Sequence, residues 1–179
     1  MKQLIFGGAR SGKSRLAEQL AGAYGDNIAY IATADSRFHD TEMKARVAHH
    51  RQQRPTYWHT LEQPLKLGHC LQQCDQGYDA IMVDCLTLWL TNALMAEEQQ
   101  ADAWQQEKHE LLDALAKMTT PVILVSNEVG MGIVPLGQLN RRFVDEAGFL
   151  NQDVARLSDR TIFTAAGLPM VLKGPALPQ

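Results

Sequence analysis

Residues 7–14 read Gly-Gly-Ala-Arg-Ser-Gly-Lys-Ser and match the spacing G-x-x-x-x-G-K-[ST], which is typical of loops that cradle phosphates. Glycines in such a loop let backbone N–H groups turn inward around phosphate oxygens, where a side chain would block the approach. Lys13 would supply a mobile positive charge to the β- and γ-phosphates, and Ser14 would offer a hydroxyl to Mg²⁺. We therefore predict that this stretch binds a nucleoside triphosphate.

A loop of this kind needs a strand before it and a helix after it. Residues 4–6 form an apolar run typical of a buried first strand. Residues 14–23 carry Leu16 and Leu20 at helical spacing, and the N-terminus of that helix would direct its dipole toward the phosphates. The loop pattern by itself could occur by chance, but these flanking segments favour a working phosphate site.

A second candidate group is Asp84, which closes the apolar run over residues 79–86. A carboxylate at the end of a hydrophobic strand is the usual Mg²⁺-associated partner of a phosphate loop. The alternative is that Asp84 only caps the next helix. Residues 27–33 predict another buried strand, and its end at Ala32, Thr33 and Ala34 is where the carboxyl edge of a parallel sheet would meet a ligand.

His50 lies in a helix predicted over residues 40–54. Arg46 precedes it by one turn and Arg54 follows it on the same face, while His49 points about a quarter-turn away. An imidazole flanked by guanidinium groups suits a polyphosphate better than an apolar core. The alternative is a hydrogen-bonded or solvated pair of histidines on a surface helix.

Strands and helices alternate along the rest of the chain. The patterns predict an α/β fold, with a mostly parallel sheet flanked by helices and an antiparallel hairpin at one edge.

The helices at residues 87–98 and 102–118 hold Trp89, Leu90, Leu94, Leu111, Leu112 and Leu115, which we assign to core packing or to a subunit interface. Their apolar content exceeds what a lone core of this size needs, and this favours an oligomer. The remaining predicted elements are a strand at 57–61, a helix at 65–74, a strand at 121–127, a long helix beginning at Pro135, and closing strands at 160–165 and 170–173.

The length of 179 residues predicts one catalytic domain over residues 1–179. A net charge of −3 argues against nucleic acid as a partner. The three cysteines, Cys70, Cys74 and Cys85, lack zinc-ligand spacing and fit reduced thiols in a cytoplasmic protein. We expect no signal peptide and no membrane span, because no apolar run reaches spanning length.

Several separated stretches resemble one family, the adenosylcobinamide kinase/adenosylcobinamide-phosphate guanylyltransferases. The most specific are RVAHHRQQRP at residues 46–55 and SNEVGMGIVP at residues 126–135. Shorter matches are FGGARSGKS, YIAT, WHTLE, and residues 151–152 and 166–169, so the resemblance runs in order along nearly the whole chain.

The resemblance implies a bifunctional enzyme of cobalamin nucleotide-loop assembly. Such enzymes phosphorylate adenosylcobinamide with ATP or GTP. They then transfer GMP from GTP to adenosylcobinamide phosphate through a guanylyl-histidine, giving adenosylcobinamide-GDP and pyrophosphate. The family also implies a RecA-like P-loop NTPase fold, Mg²⁺, and a homotrimer with active sites near subunit boundaries.

The resemblance also assigns roles to particular residues. The nucleophile maps to His50, with Lys13 as the second catalytic residue, and Ser14 and Asp84 would hold Mg²⁺. Some relatives carry Glu at the position of Asp84, and either carboxylate can serve the metal. The implied nucleotide-binding residues are Gly7, Gly8, Ala9, Arg10, Ser11, Gly12, Lys13, Ser14, Ala32, Thr33, Ala34, Arg51, Gln52, Gln53, Arg54, Glu62 and Asp84.

Other functions fit parts of the sequence. A plain small-molecule kinase explains the phosphate loop and Asp84 equally well, but leaves His50 and its arginines unexplained. A GTP-dependent switch is weaker, because the guanine-reading Asn-Lys-x-Asp is replaced by Ser-Asn-Glu-Val at residues 126–129. RecA-like DNA binding is weaker still, given the net charge and the lack of a basic tail.

Overall fold

The computed structural model of the protein describes residues 1–35 and 55–177. In this part of the chain, seven strands form one sheet in the order β3-β2-β4-β5-β1-β6-β7. The strands are β1 (Lys2–Gly7), β2 (Ile28–Ala32), β3 (His59–Glu62), β4 (Ala80–Asp84), β5 (Val122–Asn127), β6 (Arg160–Ala165) and β7 (Leu168–Lys173). The helices are α1 (Lys13–Gly22), α2 (Leu67–Cys74), α3 (Leu86–Ala96), α4 (Ala103–Lys117) and α5 (Gln138–Leu157).

Strands β1 to β6 are parallel, and only the β6–β7 pair is antiparallel. The hairpin turn at Ala166 and Gly167 has φ values of 51° and 78°, the left-handed conformation that two-residue hairpin turns require. The predicted α/β fold, with its parallel sheet, flanking helices and antiparallel edge hairpin, is therefore confirmed.

The inner strands of the sheet are buried on both faces, which explains why they read as continuous apolar runs. One face carries a large cluster in which the rings of Trp89 and Trp104 meet edge to face, with centroids 5.3 Å apart. The other face packs Ile5, Met82 and Ile123 against α1.

Most of the apolar side chains of α3 and α4 lie inside the chain's own core, although Met95 of α3 is exposed. Trp89, Leu90 and Leu111 are fully buried, and Leu115 nearly so. Core packing is therefore confirmed for these helices, and their apolar content was the wrong reason to expect an oligomer. Among the exposed large apolar side chains of the described residues, two groups lie close together in sequence: the loop after β5, with Met131, Ile133, Val134 and Leu136, and β7, with Leu168, Met170 and Leu172.

The long helix α5 begins at Gln138, three residues after the predicted start at Pro135. The Arg141 guanidinium donates to the carbonyl oxygens of Pro135, at 3.3 Å, and of Leu136. These two carbonyls are thus bound by a side chain and not by backbone N–H groups of a continuing helix. A similar correction applies to Leu86, which begins α3 and does not extend β4. The helix predicted over residues 40–54 lies outside the described residues.

Candidate active site

The phosphate loop connects β1 to α1, and Lys13 is the first residue of that helix. The Lys13 Nζ atom donates a hydrogen bond to the Gly8 carbonyl oxygen at 2.6 Å, across the mouth of the loop. Lys13 and Ser11 are buried, Gly8 and Ser14 are half-buried, and Ala9 and Arg10 are exposed at the loop's tip. The ammonium of Lys13 is thus bound within its own loop.

The buried position of Lys13 disfavours the charged form of its side chain. Burial lowers the pKa of Lys13 from its ordinary value of 10.5, while the neighbouring Cys85 and Asp84 act in the other direction. Burial also raises the pKa of the Cys85 thiol to about 11, so this thiol is neutral near neutral pH. A triphosphate in the loop would supply the anionic charge that the buried ammonium lacks.

Asp84 ends β4, and β5 separates it from the strand that leads into the phosphate loop. The Tyr30 hydroxyl donates to Asp84 Oδ2 at 3.1 Å. Helix α3 has Cys85 as its N-cap residue, so Asp84 does not occupy the capping position. The half-buried carboxylate faces the same edge of the sheet as Lys13 and contributes to that residue's electrostatic environment.

The strand register brings three predicted site residues side by side. Ala32 of β2 pairs with Glu62 of β3 on one side and with Asp84 of β4 on the other. Because all three strands are parallel, their carboxyl ends meet at one edge. Ala32, Glu62 and Asp84 therefore lie side by side at the carboxyl ends of their strands. Thr33 and Ala34 directly follow β2.

Thr33 is fully buried, and its hydroxyl already has partners within the protein. The hydroxyl donates to the Cys85 carbonyl oxygen at 2.7 Å and accepts from the Cys85 N–H at 2.9 Å. The Asn92 side-chain amide donates to the Thr33 carbonyl oxygen at 2.8 Å and to the Pro64 carbonyl oxygen at 3.0 Å. Thr33 therefore ties the ends of β2 and β4 together; its predicted contact with nucleotide stays a prediction.

Sequence reasoning did not single out Asn92, Tyr30 or Thr164, each of which contacts a segment that carries a predicted site residue. Asn92 could have been noticed as an amide in an otherwise apolar helix, LTLWLTNALMA. Tyr30 lies inside the YIAT stretch and Thr164 inside a closing strand, where side-chain type alone carries no functional signal.

The predicted nucleophile His50 lies outside the described residues, together with Arg46, Arg51, Gln52, Gln53 and Arg54. The described chain stops before them at Asp35, which follows β2 at the edge where Asp84 lies. Their assignment as site residues stays a prediction.

The two predicted metal ligands, Ser14 in the loop and Asp84 at the end of β4, both carry oxygen donors. Ser14 and Asp84 offer a hydroxyl and a carboxylate, and Mg²⁺ is commonly held by one or two such groups together with substrate phosphates and water. Within residues 1–35 and 55–177, no three His, Cys, Asp or Glu side chains cluster as a metal site. The donor set therefore fits a nucleotide-bound Mg²⁺ better than a protein-enclosed metal.

A glycine-rich loop with a buried lysine between strand and helix, and an aspartate at the end of a nearby parallel strand, defines a P-loop nucleotide-binding α/β protein. The fold is similar to that of the RadB recombinase in its crystal structure, with a TM-score of 0.50 and 16% identity, covering 90% of this chain and 73% of that one. This likeness confirms the RecA-like fold.

The chain belongs to the cobinamide kinase / cobinamide phosphate guanyltransferase family, whose sequence model matches residues 3–172. It is 51% identical to the bifunctional adenosylcobalamin biosynthesis protein CobP of Pseudomonas aeruginosa, over 99% of this chain and 100% of that protein. The corresponding CobU proteins of Escherichia coli and Salmonella typhimurium are 37% and 39% identical, each over 97% of this chain and their full length. The protein is therefore an enzyme of a bifunctional cobalamin biosynthesis family, as the sequence resemblance predicted.

None of the helices in the described part of the chain is long and apolar enough to cross a membrane.

Proposed function

We propose that this chain, acting as one catalytic domain over residues 1–179, phosphorylates adenosylcobinamide with ATP or GTP. It then transfers GMP from GTP to adenosylcobinamide phosphate through a guanylyl group on His50, releasing pyrophosphate and adenosylcobinamide-GDP. The observation that carries this proposal is the placement of the phosphate loop and Lys13 at the same sheet edge as Asp84 and Glu62. Family membership supplies the identity of the acceptor.

In the kinase step, the chain's contribution is position and charge. Backbone N–H groups of the loop and the ammonium of Lys13 would hold the triphosphate while the substrate hydroxyl oxygen attacks the γ-phosphorus. The bond from that phosphorus to the β–γ bridging oxygen breaks, the nucleoside diphosphate leaves, and the hydroxyl proton passes to solvent. Ser14 and Asp84 would hold Mg²⁺, which neutralises phosphate charge when bound.

In the guanylyl step, a neutral imidazole nitrogen of His50 would attack the α-phosphorus of GTP. The bond to the α–β bridging oxygen breaks and pyrophosphate leaves. A phosphate oxygen of adenosylcobinamide phosphate then attacks the same phosphorus, the P–N bond breaks, and the imidazole is restored. Arg46, Arg51, Arg54 and Lys13 are the groups proposed to neutralise the triphosphate.

The remaining nucleotide contacts are proposed for two groups of residues. The loop backbone from Gly7 to Ser14 and the residues Ala32 and Glu62 lie in the described chain, at the carboxyl ends of β1, β2 and β3, which supports their assignment. Thr33 and Ala34 directly follow β2 and are proposed from the resemblance, since the Thr33 hydroxyl is already bonded to Cys85. Gln52 and Gln53 are proposed from the resemblance alone.

We further propose a cytoplasmic homotrimer. Its support is the family resemblance and the two exposed apolar stretches, where Ile133 and Leu136 are 97% and 96% exposed. On β7, Leu168, Met170 and Leu172 recur every second residue and so project from one face of the strand. Three free, buried cysteines fit a reducing compartment.

Incubation with α-labelled GTP, followed by denaturing electrophoresis, tests the histidine mechanism. The bifunctional enzyme should retain the label on the protein through an acid-labile bond, whereas γ-labelled GTP should leave none. A plain kinase would phosphorylate adenosylcobinamide yet carry no label from either nucleotide. That result would replace the guanylyl-histidine proposal with the kinase alternative.

A further inference from the structure

The turn of the β6–β7 hairpin lies directly against the phosphate loop, although the two are about 150 residues apart in sequence. Ser11 Oγ and Thr164 Oγ1 are 2.9 Å apart in a buried hydrogen bond. Thr164 Oγ1 also donates to the Phe6 carbonyl oxygen at 3.4 Å. A hydroxyl carries one proton and can accept others, so Thr164 can donate to Phe6 while accepting from Ser11.

A second contact fixes the same part of the loop. The Gly167 N–H, in the hairpin turn, donates to the Ser11 carbonyl oxygen at 3.0 Å. Ser11 is therefore held at both its side chain and its backbone by the hairpin.

The packing between these segments leaves no room for a side chain at Gly7 and little room at Gly12. A Cβ on Gly7 would lie 2.3 Å from the Thr164 carbonyl oxygen, and one on Gly12 would lie 3.2 Å from the Gly167 Cα atom. The hairpin backbone thus touches the loop at both ends, and these glycines permit close approach to the protein as well as to phosphate.

We propose that Thr164 is a positioning residue for the nucleotide. Its hydroxyl, with the turn at Gly167, holds Ser11 and the surrounding loop backbone in the phosphate-binding conformation before nucleotide arrives. Thr164 touches no reacting atom; it acts through Ser11. This inference rests on the proposed function, in which one phosphate loop binds the triphosphate.

The consequence is a selective loss of nucleotide affinity when the hydroxyl is removed. Thr164→Val keeps the side-chain shape and deletes the hydrogen bonds. We expect KM for the nucleotide to rise by about twofold to tenfold, the range of one net hydrogen bond. The turnover number should stay within about twofold of wild type, because ground state and transition state lose the same preorganisation. Thr164→Ser should restore KM.

Thr161 provides a matched control on the same strand. It is buried like Thr164, and within the described residues its hydroxyl has no hydrogen-bond partner. Thr161→Val should therefore leave the nucleotide KM unchanged.

The experiment measures KM and kcat of the kinase step for wild type and the three variants, with thermal unfolding in parallel. A wild-type KM for Thr164→Val, or a serine variant as weak as the valine variant, would overturn the inference. So would a reduced kcat at unchanged KM, since a partly unfolded enzyme gives that result. If the valine variant does not fold, Ser11→Ala tests the same bond from its other end and must raise KM.

The two proposals fail differently. If wild-type protein does not bind a non-hydrolysable GTP analogue with Mg²⁺, the proposed function fails and the inference with it. If wild-type protein binds the analogue and Thr164→Val binds it equally well, only the role of Thr164 fails.

Discussion

The Lys13 ammonium is bound by the Gly8 carbonyl oxygen, 2.6 Å away within the same loop. A lysine in this position must exchange that carbonyl for phosphate oxygens when a triphosphate enters. The exchange is favourable because the carbonyl is a neutral acceptor, whereas phosphate oxygens carry the charge that a buried ammonium lacks.

Replacing Lys13 by alanine should depress both half-reactions, since both require a triphosphate to be neutralised. We expect a loss of roughly two to three orders of magnitude in rate. Steady-state rates of phosphorylation and guanylyl transfer provide the measurement. Lys117→Ala is the control, because that side chain is exposed in the last turn of α4, where it forms an ion pair with Asp113. Unchanged rates for Lys13→Ala would show that this loop is not the working phosphate site.

Nucleotide affinity should fall as the pH rises. The fall should begin at a lower pH than it would with a lysine of ordinary pKa. Burial lowers the pKa of Lys13 in the nucleotide-free protein, and bound phosphates raise it again, so binding takes up a proton above the lowered pKa. Titrations over the pH range below the ordinary lysine pKa of 10.5 would measure this. Lys13→Arg, which stays charged, should flatten the dependence; the same slope in both proteins would contradict the assignment.

The lowered pKa of Lys13 makes the free energy of unfolding change with pH in the opposite direction to nucleotide affinity. In the window between the lowered folded pKa of Lys13 and its ordinary value of 10.5, the unfolded chain binds more protons than the folded one. The free energy of unfolding contributed by Lys13 should therefore rise with pH across that window. Denaturant titrations of wild type and Lys13→Met at several pH values isolate this contribution as their difference.

The Tyr30 hydroxyl should influence how the enzyme uses Mg²⁺. It donates to Asp84 at 3.1 Å and thereby orients a proposed metal ligand. For Tyr30→Phe we expect the Mg²⁺ concentration at half-maximal rate to rise by about twofold to tenfold. Tyr24→Phe is the control, because its hydroxyl contacts Gln3 near the opposite end of β1. Equal Mg²⁺ requirements for Tyr30→Phe and wild type would exclude this role.

His50→Ala should abolish guanylyl transfer and the covalent label from α-labelled GTP. The kinase step should persist, because its nucleophile is the substrate hydroxyl and the loop remains in place. His49→Ala should keep the label, since it projects away from the predicted face of Arg46, His50 and Arg54. If His49→Ala loses the label and His50→Ala keeps it, the nucleophile is His49 and the assignment to His50 is wrong. If both variants keep the label, the guanylyl-histidine mechanism proposed for this pair is wrong.

Assembly should depend on the exposed apolar stretch after β5. Ile133 is 97% exposed, and Ile133→Asp should convert a trimer into monomers because an interface would have to bury the new carboxylate. Sedimentation at about micromolar concentration measures the change. Tyr57→Asp, also at an exposed residue but just before the edge strand β3, should leave the trimer intact. A monomeric wild type would contradict the proposed homotrimer.

The features that the sequence predicted depend on residues that lie close together along the chain. The phosphate loop occupies eight consecutive residues, and the buried strands are continuous apolar runs, so both could be located without any tertiary information. The β6–β7 hairpin was equally local. The start of α5 was missed because Arg141 binds the carbonyls of Pro135 and Leu136, and such a competition between side chain and backbone leaves no pattern in the sequence.

By itself, the sequence predicted the chemistry proposed for this protein: a phosphate loop, an acid at a strand end and a histidine motif that resembles the family's. The tertiary structure decided what surrounds that chemistry. It placed β5 between β4, which ends at Asp84, and β1, which leads into the phosphate loop. It also brought Thr33 into hydrogen bonding with Cys85, and Thr164 with Ser11. These contacts follow from strand order and register, which arise from packing across the whole sheet and not from any local run of residues.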